Sequence, residues 1–379
     1  MASAAQAPPY FGRAWKITAD AADGTHLVIS SDQFDDALRV TFTIDMFMLL
    51  TYWQATVTIY NLSNEAATKI WQGNTNFGPK PGGLLDSRGI LRQQQPFILG
   101  DVVTISGGYQ SGISGKFDAS TSVLYCGKVL QPIWTRENVV DYKLTLRLTT
   151  GLPEDAHNFA SFPLEKGVTD YEKLTQVCGL ANTPIPIDKI DDDAKAELGK
   201  QTYPRSQVVH SRPYDVLREI MRQHSLFAWV KPIDPATGIG GLNVRKFDPN
   251  APAQTPDYAY APPNLEGQYT TDGTMQGLVK KTLIGTPEQT QDGVLFRVLL
   301  DPLVRIGDIV QLAPGTIVNP YPLQYGAVPP AAPLVNGLYT VAGIRHVGDT
   351  RGRGDDWYTE IQGLVPNFFA SYSETRKQS

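Results

Sequence analysis

The chain has 379 residues, room for two or three domains of ordinary size. Its hydrophobic share of 41% and charged share of 19% suit a globular core, and 34 Gly, 28 Pro, 17 Tyr and 14 Phe point to many short strands joined by turns. A formal net charge of −5 argues against a nucleic-acid-binding surface, which is normally basic.

Residues 11–151 read as strand after strand. Ala14–Ala19 and His26–Ser30 flank a turn at Asp23-Gly24. Leu38–Ile44 and Ala55–Tyr60 alternate apolar and polar residues, the period of two that half-buried strands require. Asn61-Leu62-Ser63-Asn64-Glu65 then offers a cap for a short helix running to Trp71. Phe97–Leu99 and Val102–Ile105 surround Gly100-Asp101, and Val123–Trp134 with Val139–Leu148 form a long hairpin turning near Arg136-Glu137-Asn138.

The period changes in residues 152–265. Tyr171, Leu174 and Val177-Cys178 share a helical face in Asp170–Cys178, stopped by Gly179. Val216-Leu217, Ile220-Met221 and His224 share another in Tyr214–His224, with Pro213 in its first turn. A strand pair, Leu226–Lys231 and Gly241–Phe247, completes a small α+β domain, which ends in a Pro-rich linker from Pro249 to Pro263. Residues 266–368 return to strands: Met275–Ile284, Val294–Leu300, Ile309–Leu312, Leu338–His346 and Trp357–Leu364, broken by a Pro-rich loop from Pro314 to Pro333. Residues 369–379 are polar and read as a flexible tail. The fold class is therefore mainly β with a small α+β domain.

The first and third regions repeat an order of features. Gly100-Asp101 precedes Val102–Ile105 as Gly307-Asp308 precedes Ile309–Leu312. Leu124-Tyr125 then answers Leu338-Tyr339, and Asp141–Leu146 answers Asp356–Ile361. Gly tolerates the backbone of such a turn and Asp bonds its own main chain. The pattern fits an internal duplication, and Gly-Asp ahead of a strand also recurs by chance. Two like units per chain, taken three times about an axis, would present six to a six-fold ring.

Chemistry is sparse. Of five histidines, His26, His157, His210, His224 and His346, no two have zinc-ligand spacing, and neither Cys126 nor Cys178 lies near one. His224 reads as packed on its helix rather than catalytic, and His346 as a hydrogen-bonding group. Asp188, Asp191, Asp192 and Asp193 are the best cation candidates, yet lack the ligand spacing of a calcium loop and read as a solvated loop. Gly238, Gly240 and Gly241 lack the Lys-Ser or Lys-Thr of a phosphate loop, and no GxSxG elbow is present. Two acids of a glycosidase can meet in space without any sequence signal. No catalytic, cofactor-binding or metal residue is therefore assigned. The two thiols form no CxxC and are expected reduced. Met1–Pro9 has no secretory pattern, and Met46–Leu50 is far too short to span a membrane, so no membrane anchor is expected.

Several of these segments, in order, resemble the baseplate hub family of Mu-like and other contractile-tailed phages. They are Val57–Tyr60 followed by Asn61, Leu62 and Ser63; Gly107-Gly108-Tyr109; Tyr125–Val129; Gly285-Thr286-Pro287; Val298–Pro302; Arg305–Asp308; the run Gly348, Asp349, Thr350, Arg351 and Gly352 after His346-Val347; and Trp357–Ile361. The resemblance marks Asn61, Leu62, Ser63, Gly100, Asp101, Gly307, Asp308 and Gly348 to Gly352 as fold-signature positions. It implies two tail-tube-like β-barrel domains, 11–151 and 266–368, with the small α+β domain between them. It further implies a homotrimer acting as a non-enzymatic structural hub in the virion, in the tail baseplate, assembled in the host bacterial cytoplasm. Its partners would be the tail tube protein, a separate central spike protein, other baseplate proteins and the tape measure protein, with DNA only passing through an axial channel. Type VI secretion spikes carry similar modules followed by a β-helix repeat, which this sequence lacks. The competing readings are a tail-tip peptidoglycan hydrolase, the hub of a tailocin or type VI-like device, and a sugar-binding β-sandwich pair.

Overall fold

The computed structural model describes residues 11–20, 26–31, 38–50, 53–61, 102–110, 118–137, 141–150, 159–181, 184–231, 241–246, 256–263, 278–290, 293–313, 316, 337–352 and 356–364. The chain divides into two compact units. The first comprises residues 1–44, 54–151 and 346–357; the second comprises 45–53, 152–345 and 358–379. The proposed helix after Asn61 lies outside the described residues, as do most of the Pro314–Pro333 loop and the 369–379 tail.

Alternating side chains build the first unit. Strands β1 (Phe11–Asp20), β2 (His26–Ser30), β3 (Val40–Phe47), β4 (Gln54–Tyr60), β5 (Val102–Gln110), β6 (Val123–Arg136) and β7 (Tyr142–Thr149) follow in chain order. Their order in the sheet is β3-β4-β7-β6-β5-β1-β2. Val40, Phe42 and Ile44 alternate inward on β3, Ala55, Val57 and Ile59 on β4, and Leu144, Leu146 and Leu148 on β7. The long hairpin forms as the sequence indicates, with Trp134 opposite Leu144 and Lys128 opposite Thr149.

The second unit contains the small α+β segment. It adds strands β8 (Ala160–Leu164), β9 (Ile187–Ile190), β10 (Gln207–Ser211), β11 (Phe227–Lys231) and β12 (Gly241–Arg245), and helices α1 (Asp170–Leu180), α2 (Asp192–Leu198) and α3 (Pro213–Gln223). Thr169 opens α1 with a capping box, its hydroxyl accepting from the Glu172 N–H while the Glu172 carboxylate accepts from the Thr169 N–H. Gly179 does not stop α1 but lies in its last turn, and Ala181 caps it. The chain leaves α1 in extended backbone at Ala181, φ −62° and ψ 152°, so no left-handed residue is needed there. Ser225, with φ 52°, reverses the chain after α3. Leu174 and Val177 of α1, Leu217 and Ile220 of α3, and Leu164, Leu198 and Leu242 share one core. Each fully buried side chain of this kind contributes about 1.5–3 kcal/mol.

The rest of the second unit is again a sheet. It comprises β13 (Tyr258–Tyr260), β14 (Leu278–Lys280), β15 (Leu283–Gln289), β16 (Gly293–Leu299), β17 (Ile309–Leu312), β18 (Leu338–Asp349) and β19 (Trp357–Leu364). The expected strand over Met275–Ile284 is two, β14 and β15, and the Pro-rich linker contains β13. The pairing order is β15-β16-β19-β18-β17-β13-β14. Strand for strand, this is the order of the first unit: β3 to β7 correspond to β15 to β19, and β1-β2 to β13-β14. One strand breaks the match, since β1 is antiparallel to β5 while β13 is parallel to β17. Tyr125 and Tyr339, aligned from the sequence, are both buried, but Tyr125 faces Ile105 and Tyr339 faces Val310, a register difference of two positions relative to the Gly-Asp turns.

This sheet cannot be flat. Its edge strands β14 and β15 are joined by two residues, Lys281 and Thr282. Seven strands at about 4.8 Å spacing would set flat edges roughly 29 Å apart, whereas three residue steps reach at most about 11 Å. The Leu283 N–H accordingly donates to Ala261 O, just beyond β13. The expected barrels are thus represented by two curled sets of seven strands, all belonging to one fourteen-stranded pairing pattern; no complete closing ladder is among the described pairings.

Truncation of Leu217, which is fully buried in the small segment, should cost about 2–5 kcal/mol. Urea unfolding of Leu217→Ala followed by far-ultraviolet circular dichroism measures this, and a loss below about 0.5 kcal/mol would contradict the core described.

Candidate functional site: the clamp at residues 346–357

The run from Gly348 to Gly352 sits at the end of β18, inside the first unit, beside β3. The Thr350 N–H donates to Val40 O at 3.0 Å, and the Val40 N–H donates to the Thr350 hydroxyl at 2.9 Å. Gly348 is needed for space, since a Cβ there would stand 2.2 Å from Phe42 Cζ. Asp349 folds the turn, its Oδ1 accepting from the N–H groups of Arg351 at 3.0 Å and Gly352 at 2.9 Å. Arg39 grips the same carboxylate in a fork, Nη2 to Oδ2 at 2.7 Å and Nε to Oδ1 at 3.3 Å.

The clamp reaches across the sheet. Arg13 on β1 donates to the carbonyl oxygens of Asp349 and Gly352. Trp357 Nε1 donates to Gly108 O of β5 at 3.1 Å, and the Tyr109 hydroxyl returns a bond to Trp357 O at 3.2 Å. The Trp357 ring meets Phe42 edge-on, centroids 5.4 Å apart. In strand order β3 and β1 are five places apart. One side chain can bridge from β1 to the turn beside β3 only because the sheet curls.

Burial opposes the Asp349 charge, but Arg39 and the two backbone N–H groups outweigh it and hold the carboxyl below its usual range. Arg39 is held above its usual value, chiefly by the same bond.

Asn61 extends this group. Its side chain donates to Asp141 Oδ1 at 2.9 Å and accepts from the Tyr142 N–H at 3.0 Å, fastening the end of β4 to β7. Its neighbour Tyr60 places its ring under the Arg39 guanidinium, 4.9 Å away. Asn61 and Asp349, far apart in sequence, are thus linked through Tyr60 and Arg39. Gly307 and Asp308 form a separate turn in the second unit, where Gly307 has φ 92° and a Cβ would stand 3.0 Å from Trp229. Leu62, Ser63, Gly100 and Asp101 lie outside the described residues.

His224, Asp188 and Asp191, singled out in the sequence, are each held by partners. His224 and Asp170 pair at 2.8 Å in the core, and Asp170 also accepts from the Tyr203 hydroxyl at 2.6 Å. Asp188 is held by Lys231 and Asn243, and Asp191 by Lys189 and Arg245. Asp192 and Asp193 begin α2, where its dipole favours them, instead of forming a loop. Among the described residues no group of three or more His, Cys, Asp or Glu is placed to hold a metal. No helix among them is long and apolar enough to cross a membrane. Cys178 is buried, which pushes its thiol up to about 12.

No family model matches the chain, and no curated protein does. Solved structures do. The 43 kDa tail protein of prophage MuSo2 from Shewanella oneidensis matches with a TM-score of 0.48 and 10% identity, over 93% of this chain and 98% of that one. A tail protein from Neisseria meningitidis MC58 matches at 0.45 and 9%, over 95% and 98%. A chain of the Francisella PdpA-VgrG complex matches at 0.48 and 8%, over 94% of this chain and 58% of that one.

Protonating Asp349 should undo the clamp. Its folded pKa lies below the unfolded value of about 3.9, so its contribution is present above that value and fades as the pH falls. Asp349→Asn should cost about 1 kcal/mol at pH 7, a difference that shrinks below about pH 4. Urea titrations of both proteins at pH 7 and pH 3 check this; a difference that persists unchanged at pH 3 would refute it.

Proposed function

We propose that the chain is a structural baseplate hub of a contractile phage tail. The observation that carries the reading is the duplicated strand order, seven strands in the first unit and the same seven positions in the second. The ordered resemblance of Asn61–Ser63, Gly307-Asp308 and Gly348–Gly352 to the hub family supports it independently.

Three chains about an axis would present six like sheets. Such a ring meets a six-fold tail tube on one face without a symmetry conflict, and a separate three-fold spike on the other. Clamps of the Arg39–Asp349 kind give the rigidity that such an adaptor needs, since each fixes distant strands by paired bonds rather than single contacts. DNA would cross the axial opening during genome ejection, and a chain of net charge −5 offers it no basic trap. Other baseplate proteins and the tape measure protein are the further partners in this reading, and the virion tail baseplate is its location. The chain performs no catalysis in this role.

Light scattering on the purified protein should give three times the 41.6 kDa chain mass. A monomer throughout the micromolar range would overturn the reading. Incubation with purified peptidoglycan should release no soluble fragments; clear turnover would favour the tail-tip hydrolase instead.

A further inference from the structure

One buried carboxylate joins both ends of the second unit's pairing order. Asp301 follows β16, second in the order β15-β16-β19-β18-β17-β13-β14, and Lys280 ends β14, the last. Lys280 Nζ donates to Asp301 Oδ2 at 2.5 Å. The Tyr260 hydroxyl of β13 donates to the same oxygen at 2.8 Å, and the Leu303 N–H donates to Oδ1 at 3.0 Å. The Asp301 N–H in turn donates to the Thr359 hydroxyl of β19 at 2.9 Å. Lys280, Tyr260, Asp301 and Thr359 are all buried, at 8%, 0%, 7% and 0% exposure. Strands β13, β14, β16 and β19 therefore meet at one residue.

The other attachments of β14 are short. It has three residues, and β13 is its one partner among the described strands. Val279 packs on the small cluster of Ala259, Ala261 and Ala313. Lys280 O accepts from the Ala261 N–H at 3.0 Å, and in the link to β15 Thr282 O accepts from the Leu299 N–H at 2.8 Å. The Thr282 hydroxyl opposes closure. It is buried and has no hydrogen-bond partner among the described residues. A hydroxyl in that state has given up its bonds to water, and release of the link would restore them. The Lys280–Asp301 bond acts the other way, since its loss leaves a buried carboxylate without its counter-charge.

We propose that β14 and the Lys281-Thr282 link form a strap, pinned across the seam by Lys280 on Asp301, that releases locally while the other strands and the small α+β segment stay folded. A short terminal strand with few ladder bonds is the kind of element that opens below the free energy of global unfolding. Two opposed interactions set its balance: the Lys280–Asp301 bond closes the strap, and the stranded Thr282 hydroxyl favours its opening. Tyr260 and Leu303 still hold the carboxylate when Lys280 withdraws, so Asp301 stays in place as the seat to which the strap returns. The strap does not depend on the proposed assembly.

Amide hydrogen exchange of the full chain, read by mass spectrometry and corrected for the intrinsic rate, tests this. In the wild type the amides of 278–283 should exchange faster than those of α3 at 213–223. Lys280→Met should quicken exchange at 278–283 by about tenfold or more and leave α3 within about twofold of the wild type. Thr282→Val replaces the unbonded hydroxyl with a methyl group and should slow exchange at 278–283 by roughly threefold. Equal quickening of both regions in Lys280→Met would make the pair a part of global stability only and overturn the proposal. If Lys280→Met does not fold, Thr282→Val decides alone: slower exchange confined to 278–283 supports the strap, and an unchanged or faster rate there overturns it.

Discussion

The two-residue link between β14 and β15 is the constraint from which the second unit follows. It forces strands from opposite ends of one pairing order to within about 11 Å, so the sheet must roll up and enclose a core. Val294, Phe296 and Val298 of β16 and Ile361 of β19 face inward as a result and are all but inaccessible. The first unit curls by other means. Its edge strands β2 and β3 are joined by a longer stretch that imposes no such limit, and curvature is held by Arg13, Trp357 and the Asp349 turn. The same chain order thus appears twice with two different fasteners.

The differences between the repeats are as informative as the match. The outer edge of β3 is occupied in the first unit by the end of β18. The corresponding strand β15 carries Pro287, an irregular register between Ile284 and Glu288, and Gly285 at φ 67°. Proline and bulges are the usual devices by which an edge is kept from pairing further. Cross-strand partners have also diverged. Thr58 faces Thr145 with hydroxyls 3.1 Å apart, where the second repeat has Arg297 facing Glu360 in a 2.8 Å ion pair. Equivalent faces therefore offer different chemistry, which three-fold arrangement of a six-membered ring allows and strict six-fold symmetry does not.

Strands with one solvated face were legible in the sequence because alternation encodes them directly, as in Val40–Ile44 and Ala55–Ile59. Helices α1 and α3 were legible through their apolar stripes. Helix α2 was hidden because Asp191–Asp193 reads as a charged loop, whereas those acids complement the start of a helix whose core contacts are only Ala194 and Leu198. Strands β8 and β10 were missed because each is short and pairs only with the other in the described sheets. Strand β13 was hidden among prolines. Gly348–Gly352 stood out as a motif, but its partners did not. Arg13 and Arg39 are single basic residues in ordinary strand segments, and only the return of β18 more than 300 positions later gives them a role. The duplication was visible as short similar phrases, while the seven-strand correspondence required the pairing.

Direct imaging of the particle by cryo-electron microscopy is the sharpest test of the hub reading. Class averages of the purified protein should show a ring of six lobes, alternating in kind, around an axial opening. Single-lobed particles, or a closed dimer lacking any opening, would contradict it.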